Sequence, residues 1–204
     1  MKNLMLNVIF ILSLAGLASL SACAGSLSTK PAIAAPVATV QTTAKPAEAS
    51  PVAASIGKVM VVDFPLSDLT DLPNPPEELA RIVRFNDAFK QKLAVDGVEL
   101  VLVTDKIKAI AASQSATYLF DHTDIAASLA EGSGADYIII GVAMKPTYLF
   151  VYPRMLLVDI KTKRKAFTAY VQMEGSWLDK EHTVSSAKNL AKKVTAELKQ
   201  MPKN

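Results

Sequence analysis

The segment from Ala24 to Ser55 most constrains the fold, because it cannot join one. It is built of Ala, Pro, Thr, Val and Ser, is punctuated by Pro31, Pro36, Pro46 and Pro51, and contains no aromatic residue. It has neither helical nor strand periodicity. Proline removes backbone donors and alanine buries little area, so no core can offset the entropy of ordering it. Composition therefore predicts an extended, disordered spacer. A random coil of this length reaches on the order of 30 Å on average. Any core must come from Gly57 onward, about 150 residues, which is enough for one ordinary domain.

The segment before the spacer is a second non-folding unit. Lys2 is a small positive start, Leu4 to Leu20 is almost wholly apolar, and Ser21 and Ala22 lead into Cys23, the only cysteine. This layout is that of a secretory signal peptide over residues 1–22. A stop-transfer reading is weak, since no charge follows Lys2 until Lys30. Leu20-Ser21-Ala22-Cys23 resembles a bacterial lipobox. That resemblance implies diacylglycerol on the Cys23 thiol, cleavage before Cys23 and acylation (palmitate-type) of the new amino group. Ala24, in place of Asp, implies sorting to the outer membrane, facing the periplasm. A single cysteine allows no intramolecular disulfide, and two or three acyl chains anchor a protein lastingly without a spanning helix. The formal net charge of +3 is too small to argue for nucleic acid as a partner.

From Gly57 the pattern changes. Lys58 to Phe64 reads as a buried strand, and Ser67 to Pro76 as a loop. Pro75 and Pro76 before Glu77 and Glu78 favour a helix start. Leu79, Ile82, Val83, Phe85, Phe89 and Leu93 then recur at helical spacing, with Arg81, Arg84, Lys90 and Lys92 on the other faces. Gly97 fits a left-handed stop. Val98 to Val103 reads as a strand and Asp105 to Ala112 as a short helix. A further helix capped by Asp121 runs through Leu129 and Ala130 to a stop at Gly132 and Gly134. Asp136–Met144, Tyr148–Ile160 and Lys165–Met173 read as an antiparallel meander, with Pro153 marking a bulge or an edge. His182 to Gln200 is the last helix, apolar along Val184, Ala187, Leu190, Ala191, Val194 and Leu198. The order β-α-β-α-α-β-β-β-α predicts an α/β (α+β) sandwich: a mixed sheet of about five strands with helices packed on it.

Four stretches carry a resemblance: Val59-Met-Val-Val-Asp-Phe64, Asp124-Ile-Ala-Ala-Ser-Leu129, Gly134-Ala-Asp-Tyr-Ile-Ile-Ile-Gly141 and Leu156-Leu-Val-Asp-Ile-Lys-Thr162. Taken in order they resemble the N-terminal domain of TolB, and in particular a family of small secreted proteins of unknown function carrying that domain. Related folds occur in envelope lipoproteins of curli secretion, flagellar accessories and peptidoglycan-synthase activators. The resemblance implies a fold over residues 57–204 used for protein contacts, and brings no catalytic residues. TolB continues into a β-propeller, whereas this chain stops after its last helix.

Chemistry is thin. Nucleophilic catalysis needs a base beside the nucleophile. Of the two histidines, His122 and His182, each sits at a helix start, where capping and solvent exposure explain it. No Gly-x-Ser-x-Gly elbow and no clustered zinc ligands occur. Asp63, Asp68 and Asp71 make an acidic loop whose spacing fits no calcium motif, so a solvated loop is the simpler reading. The chain therefore reads as non-enzymatic, with no cofactor and no metal.

Two features suggest contact with a partner. Strand alternation puts Tyr148, Phe150 and Tyr152 on one face, next to Arg154, with Leu149 and Val151 on the other. Burial of both faces competes with an open aromatic face. Trp177, the only tryptophan, sits before the last helix, where it either anchors a partner or staples that helix. The leading expectation is a lipid-anchored periplasmic accessory protein that meets an envelope protein partner. The alternative is a small-molecule or solute-binding module using the aromatic face or the Asp63–Asp71 loop. The basic face of the last helix is expected to be solvated.

Overall fold

The computed structural model describes residues 56–174 and 179–201; Cys23 and Trp177 lie outside them. Its elements in chain order are β1 (Lys58–Val61), β2 (Leu66–Asp68), α1 (Pro76–Val95), β3 (Glu99–Val101), α2 (Asp105–Ser113), α3 (Tyr118–Asp121), α4 (Thr123–Ala130), β4 (Tyr137–Lys145), β5 (Phe150–Asp159), β6 (Lys165–Tyr170), β7 (Met173–Glu174) and α5 (Lys180–Leu198). They form one seven-stranded mixed sheet in the order β3-β1-β4-β5-β6, with β2 added to β4 and β7 to β5. β1 runs parallel to both β3 and β4, while β4, β5 and β6 are the expected antiparallel meander. The α/β sandwich is thus the observed architecture. The two extra strands, of three and two residues, are too short to show a period.

The crossovers explain the layering. From β1 the chain passes through α1 to β3 on one side, then through α2–α4 to β4 on the other. Crossovers of one hand running in opposite directions place their helices on opposite faces. One core joins α1 and α5 to Val59, Val61, Ile139, Met155 and Leu157; the second joins α2–α4 to Met60, Val62, Ile138, Ile140, Leu156 and Val158. Successive β4 and β5 residues feed alternate cores, the period of two expected of a strand covered on both faces.

Three expectations need correction. First, α1 is rotated about its axis from the expected stripe. Leu79 and Val83 are 51% and 60% exposed, whereas Arg81 is 1% exposed. α5 lies against the Arg81 flank of α1, so that edge is covered and the Leu79–Val83 edge is left in water. Second, Asp121 does not cap a helix: it closes the single turn α3, and His122 precedes α4 without a side-chain cap. Leu119 drives that extra turn by entering the second core. Third, the strand expected over Lys165–Met173 is broken into β6 and β7. Pro153 faces the break from β5: it accepts from the Val171 N–H at 3.1 Å and has no N–H to return. Pro153 therefore interrupts a ladder inside the sheet, and the actual irregularity of register lies at Leu157/Val158.

Gly97 behaves as expected. At φ +90° it lets the Val98 and Gly97 amides reach back to the Leu93 and Ala94 carbonyls, both at 3.1 Å, the six-residue closure that ends many helices.

The first core is keyed by Phe64. Its ring meets Phe85 and Phe89 edge-on, each at 5.4 Å between centroids, and lies flat over Gly141. A Cβ at Gly141 would sit 2.3 Å from the ring. Since both phenylalanine neighbours block retreat, Gly141→Ala is expected to lower unfolding stability by about 2–3 kcal/mol. Adding Phe64→Leu should recover part of that loss in urea titrations; no recovery would mean that the ring is not the obstacle.

Candidate functional site

The site begins with a fault in the β1–β2 line. Between Val61 and Leu66 the chain takes five steps, while β4 takes four from Ile139 to Ala143. The surplus residue lifts Asp63 and Phe64 off the ladder, as a bulge does, and the Pro65 carbonyl rejoins it by accepting from the Ala143 N–H at 2.9 Å. Asn86, buried on α1, holds the lifted segment: its Oδ1 accepts from the Phe64 N–H at 2.9 Å, and its Nδ2 donates to the Phe64 carbonyl at 3.2 Å. Asp63 leans outward and pairs with Lys90 at 2.6 Å.

Beside this bulge a cleft of about 430 Å³ opens on the α2–α4 face. Val62, Asp63, Phe64 and Pro65 form one wall and Ile140 and Gly141 the floor. α2, α3 and the turn between them supply Ile107, Lys108, Ala111, Ser115, Leu119 and Phe120. Thr104 sets the start of α2, its hydroxyl accepting from the Ile107 N–H at 3.3 Å, the usual office of an N-cap. The cleft lies at the carboxyl end of β1, where the chain's connections diverge to either side. Open α/β sheets place their ligand crevices at such switch points. Both charged side chains at its rim are already paired, Asp63 with Lys90 and Lys108 with Asp105 at 3.0 Å. The cleft is therefore apolar in character.

Next to it, on the same face, the sheet is bare where α3 ends. Met144, Pro146, Tyr152, Arg154 and Tyr170 line a shallow groove of about 390 Å³. The Arg154 guanidinium stands 5.9 Å from the centroid of Phe120, which lines the cleft, and its Nη1 donates to Met144 Sδ at 3.6 Å. Phe120 and Arg154 thus join cleft and groove into one surface.

The structure brings together part of the expected contact set. Phe150 and Tyr152 are half-buried with ring centroids 6.3 Å apart, and Arg154 is exposed beside them. Val151 is buried on the opposite side, so alternation holds and one face remains partly open. Tyr148 lies in the turn before β5 and is 62% exposed, and Leu149 is exposed with it. Phe120, Met144 and Tyr170 were not legible in sequence, since each reaches the groove from a different element.

Two of the three acids of the loop, Asp63 and Asp68, are in ion pairs. Asp68 faces the buried Lys145 at 3.2 Å, and Lys145 also donates to Asn74 Oδ1 at 2.8 Å. Asp68 Oδ1 accepts from the Thr70 amide and hydroxyl at 2.8 and 2.7 Å. Burial alone would push the Asp68 carboxyl up, but the bonds from Thr70 and the ammonium of Lys145 outweigh it and hold it below its ordinary value. Among the described residues no three His, Cys, Asp or Glu side chains converge as a metal site, and no helix is long and apolar enough to cross a membrane. Both histidines are in local structure. The His122 ring lies 4.6 Å from Tyr118, and His182 Nε2 accepts from the Glu174 amide at 3.3 Å.

Solved structures similar to this chain include a PelC dodecamer from Paraburkholderia phytofirmans, at 17% identity over 72% of this chain and 91% of that one, with a TM-score of 0.44. The LpoB C-terminal domain from Salmonella enterica is 15% identical over 59% of this chain and 84% of its own, TM-score 0.40. Lipoprotein GNA1162 from Neisseria meningitidis is 12% identical over 71% and 95%, TM-score 0.41. No curated protein matches the sequence. A family model does, across residues 57–193. The chain belongs to that family, DUF3280, described as protein of unknown function (DUF2380).

Proposed function

We propose that this protein is a non-enzymatic, lipid-anchored accessory protein of the bacterial envelope that presents a protein-binding face to a periplasmic partner. Residues 1–22 act as the secretory signal, Cys23 carries the lipid, residues 23–56 form the tether, and residues 57–204 form a TolB N-terminal-like domain. Ala24 directs it to the outer membrane, facing the periplasm. The observation that carries the binding role is the uncovered sheet face of Tyr152, Arg154 and Tyr170, flanked by the exposed Tyr148. Tyr and Arg are the side chains that most often dominate interface energetics. Arg154 is already restrained by its contacts with Phe120 and Met144, which lowers the ordering cost of using it in an interface.

A photo-crosslinking amino acid in place of Tyr170, 60% exposed, is expected to capture an envelope protein in cells. Tyr152→Ala with Arg154→Ala should reduce that capture at least about tenfold, with little change in urea midpoint. Capture that is unaffected by the pair, or no adduct beyond that formed at an unrelated site such as Lys106, would remove this face from consideration.

The switch-point cleft favours a second reading, a small-molecule or solute-binding module. Its apolar lining suits a hydrophobic ligand of modest size. Such a ligand should raise the melting temperature of the chain and lose that effect in Ala111→Trp, whose exposed position on the cleft wall lets the new ring occupy it.

A further inference from the structure

α1 and α5 lie side by side with their chains in the same direction: Arg81 near the start of one bonds Thr183 near the start of the other, and Asp96 beyond the end of α1 meets Thr195 late in α5. The outer seam between them is a groove of about 590 Å³ lined by Arg84, Lys180, Lys188 and Lys192, with Val184 and Ser185 between them. The three lysines are exposed and Arg84 is half-buried. None of these four cations joins an ion pair among the described residues, unlike Lys58, Lys90, Lys92, Lys108, Lys145 and Lys163. Glu181 is the acidic member of the lining. Lys180 to Lys192 spans about 18 Å of helix, and Lys199 continues the row by one heptad. Four cations against one carboxylate leave this face with a net positive charge.

We propose that this α1–α5 face docks on an anionic phospholipid surface, the lysines and Arg84 binding headgroup phosphates. The choice of occupant rests on the lipid-anchor reading above. A coil tether of this length keeps the domain about 30 Å from the headgroups on average, so the second contact is intramolecular in effect and needs little intrinsic affinity. A row of separated point charges also matches a field of phosphates, whereas a protein partner calls for a desolvated centre that this seam lacks. Docking here leaves Tyr152 and Arg154 free, since they lie on the opposite face of the sheet; Tyr170, on the edge strand, is reached from α5 by Lys193, whose Nζ donates to its carbonyl at 3.0 Å and stands 5.9 Å from its ring centroid.

The test uses the chain without residues 1–23, made without lipid; both hydrophobic cores described above lie within residues 56–201. Its binding is measured by co-sedimentation with vesicles of phosphatidylcholine alone and with phosphatidylglycerol added. Binding is expected only with phosphatidylglycerol, and is expected to be lost in 0.5 M salt on the order expected of screened charge pairs. Lys180→Gln, Lys188→Gln and Lys192→Gln together should weaken it about a hundredfold, at roughly fivefold per charge. The matched triple Lys106→Gln, Lys161→Gln and Lys165→Gln should change it only a few-fold. Equal binding to both vesicles, an equal loss from the matched triple, or tighter binding to polyglutamate than to the anionic vesicles would overturn the proposal. The anchor is read separately, by whether Cys23→Ser releases the full chain from the membrane fraction in cells.

Discussion

Arg81→Ala is expected to destabilise the domain by about 3–5 kcal/mol, far more than its place among the charged residues of a surface helix suggests. The guanidinium is buried between α1 and α5. Its Nε donates to Thr183 Oγ1 and its Nη2 to the Glu174 carbonyl, each at 3.1 Å. Nη1 lies 3.9 Å from Glu78 Oε1, a carboxylate as buried as itself, and that oxygen accepts no hydrogen bond among the described residues. Burial pulls the Arg81 pKa down from its ordinary value, while Glu78 and Asp179 push it back up. Removing the side chain strands the Glu78 charge, frees a backbone carbonyl and empties a large volume. Arg81→Lys should rescue little, because one ammonium cannot serve both acceptors in the fixed fork geometry. The decisive comparison is Glu78→Leu with Arg81→Leu. If stranded charge dominates the loss, the double replacement costs much less than Arg81→Leu alone in urea unfolding. An equal cost would show that packing, and not charge, is what Arg81 supplies.

Asp68→Ala comes next, at about 2–4 kcal/mol near neutral pH, because it leaves Lys145 buried with the neutral Asn74 oxygen as its remaining acceptor. This loss depends on pH. The Asp68 pKa is lowered in the fold, so the folded chain holds that proton less readily than the unfolded chain does. The contribution is complete above the unfolded value of about 3.9 and drains away as pH falls through the lower folded value. The gap between wild type and Asp68→Ala should therefore be widest at neutral pH and shrink below about pH 4. Urea midpoints at pH 7 and pH 3 check this; a gap of the same size at both would assign the effect to the lost Thr70 bonds and not to the charge.

These two sites bear on function through the surfaces they hold. The Arg81 contacts pin α5 against α1, which sets the spacing of the basic seam. The Lys145 contacts pin the end of β4, from which Met144 and Pro146 enter the aromatic groove. Each site lies one shell behind a proposed interface, so substitutions there should blur binding together with stability, whereas Tyr152, Arg154 and Lys188 can be changed with little cost to the fold.

Much of this architecture is legible in local sequence. The Gly97 stop, the meander, the apolar row of α5 and the α/β order all follow from periodicity and punctuation, which report a residue's neighbours a few positions away. The candidate surface is less legible. Arg154 and Tyr152 can be read from strand alternation, yet Phe120, Met144 and Tyr170 complete the groove from α3, β4 and β6. The cleft depends on one surplus residue between Val61 and Leu66, which is visible only once β4 is known to pair with both strands.

By itself, the sequence determined that Cys23, as the only cysteine, has no disulfide partner within the chain, and that the residues from Gly57 onward are strands and helices in an α/β order. Tertiary structure decided which edge of α1 is dry. Leu79 and Val83 are apolar and Arg81 is charged, but burial follows whichever neighbour covers the edge. α5 covers Arg81 and provides acceptors that make its burial tolerable. It decided likewise that Lys145 is paired inside, while Lys188 and Lys192 stand unpaired outside. Periodicity records the polarity of a face, and only the packing of distant segments determines whether that face meets protein or water.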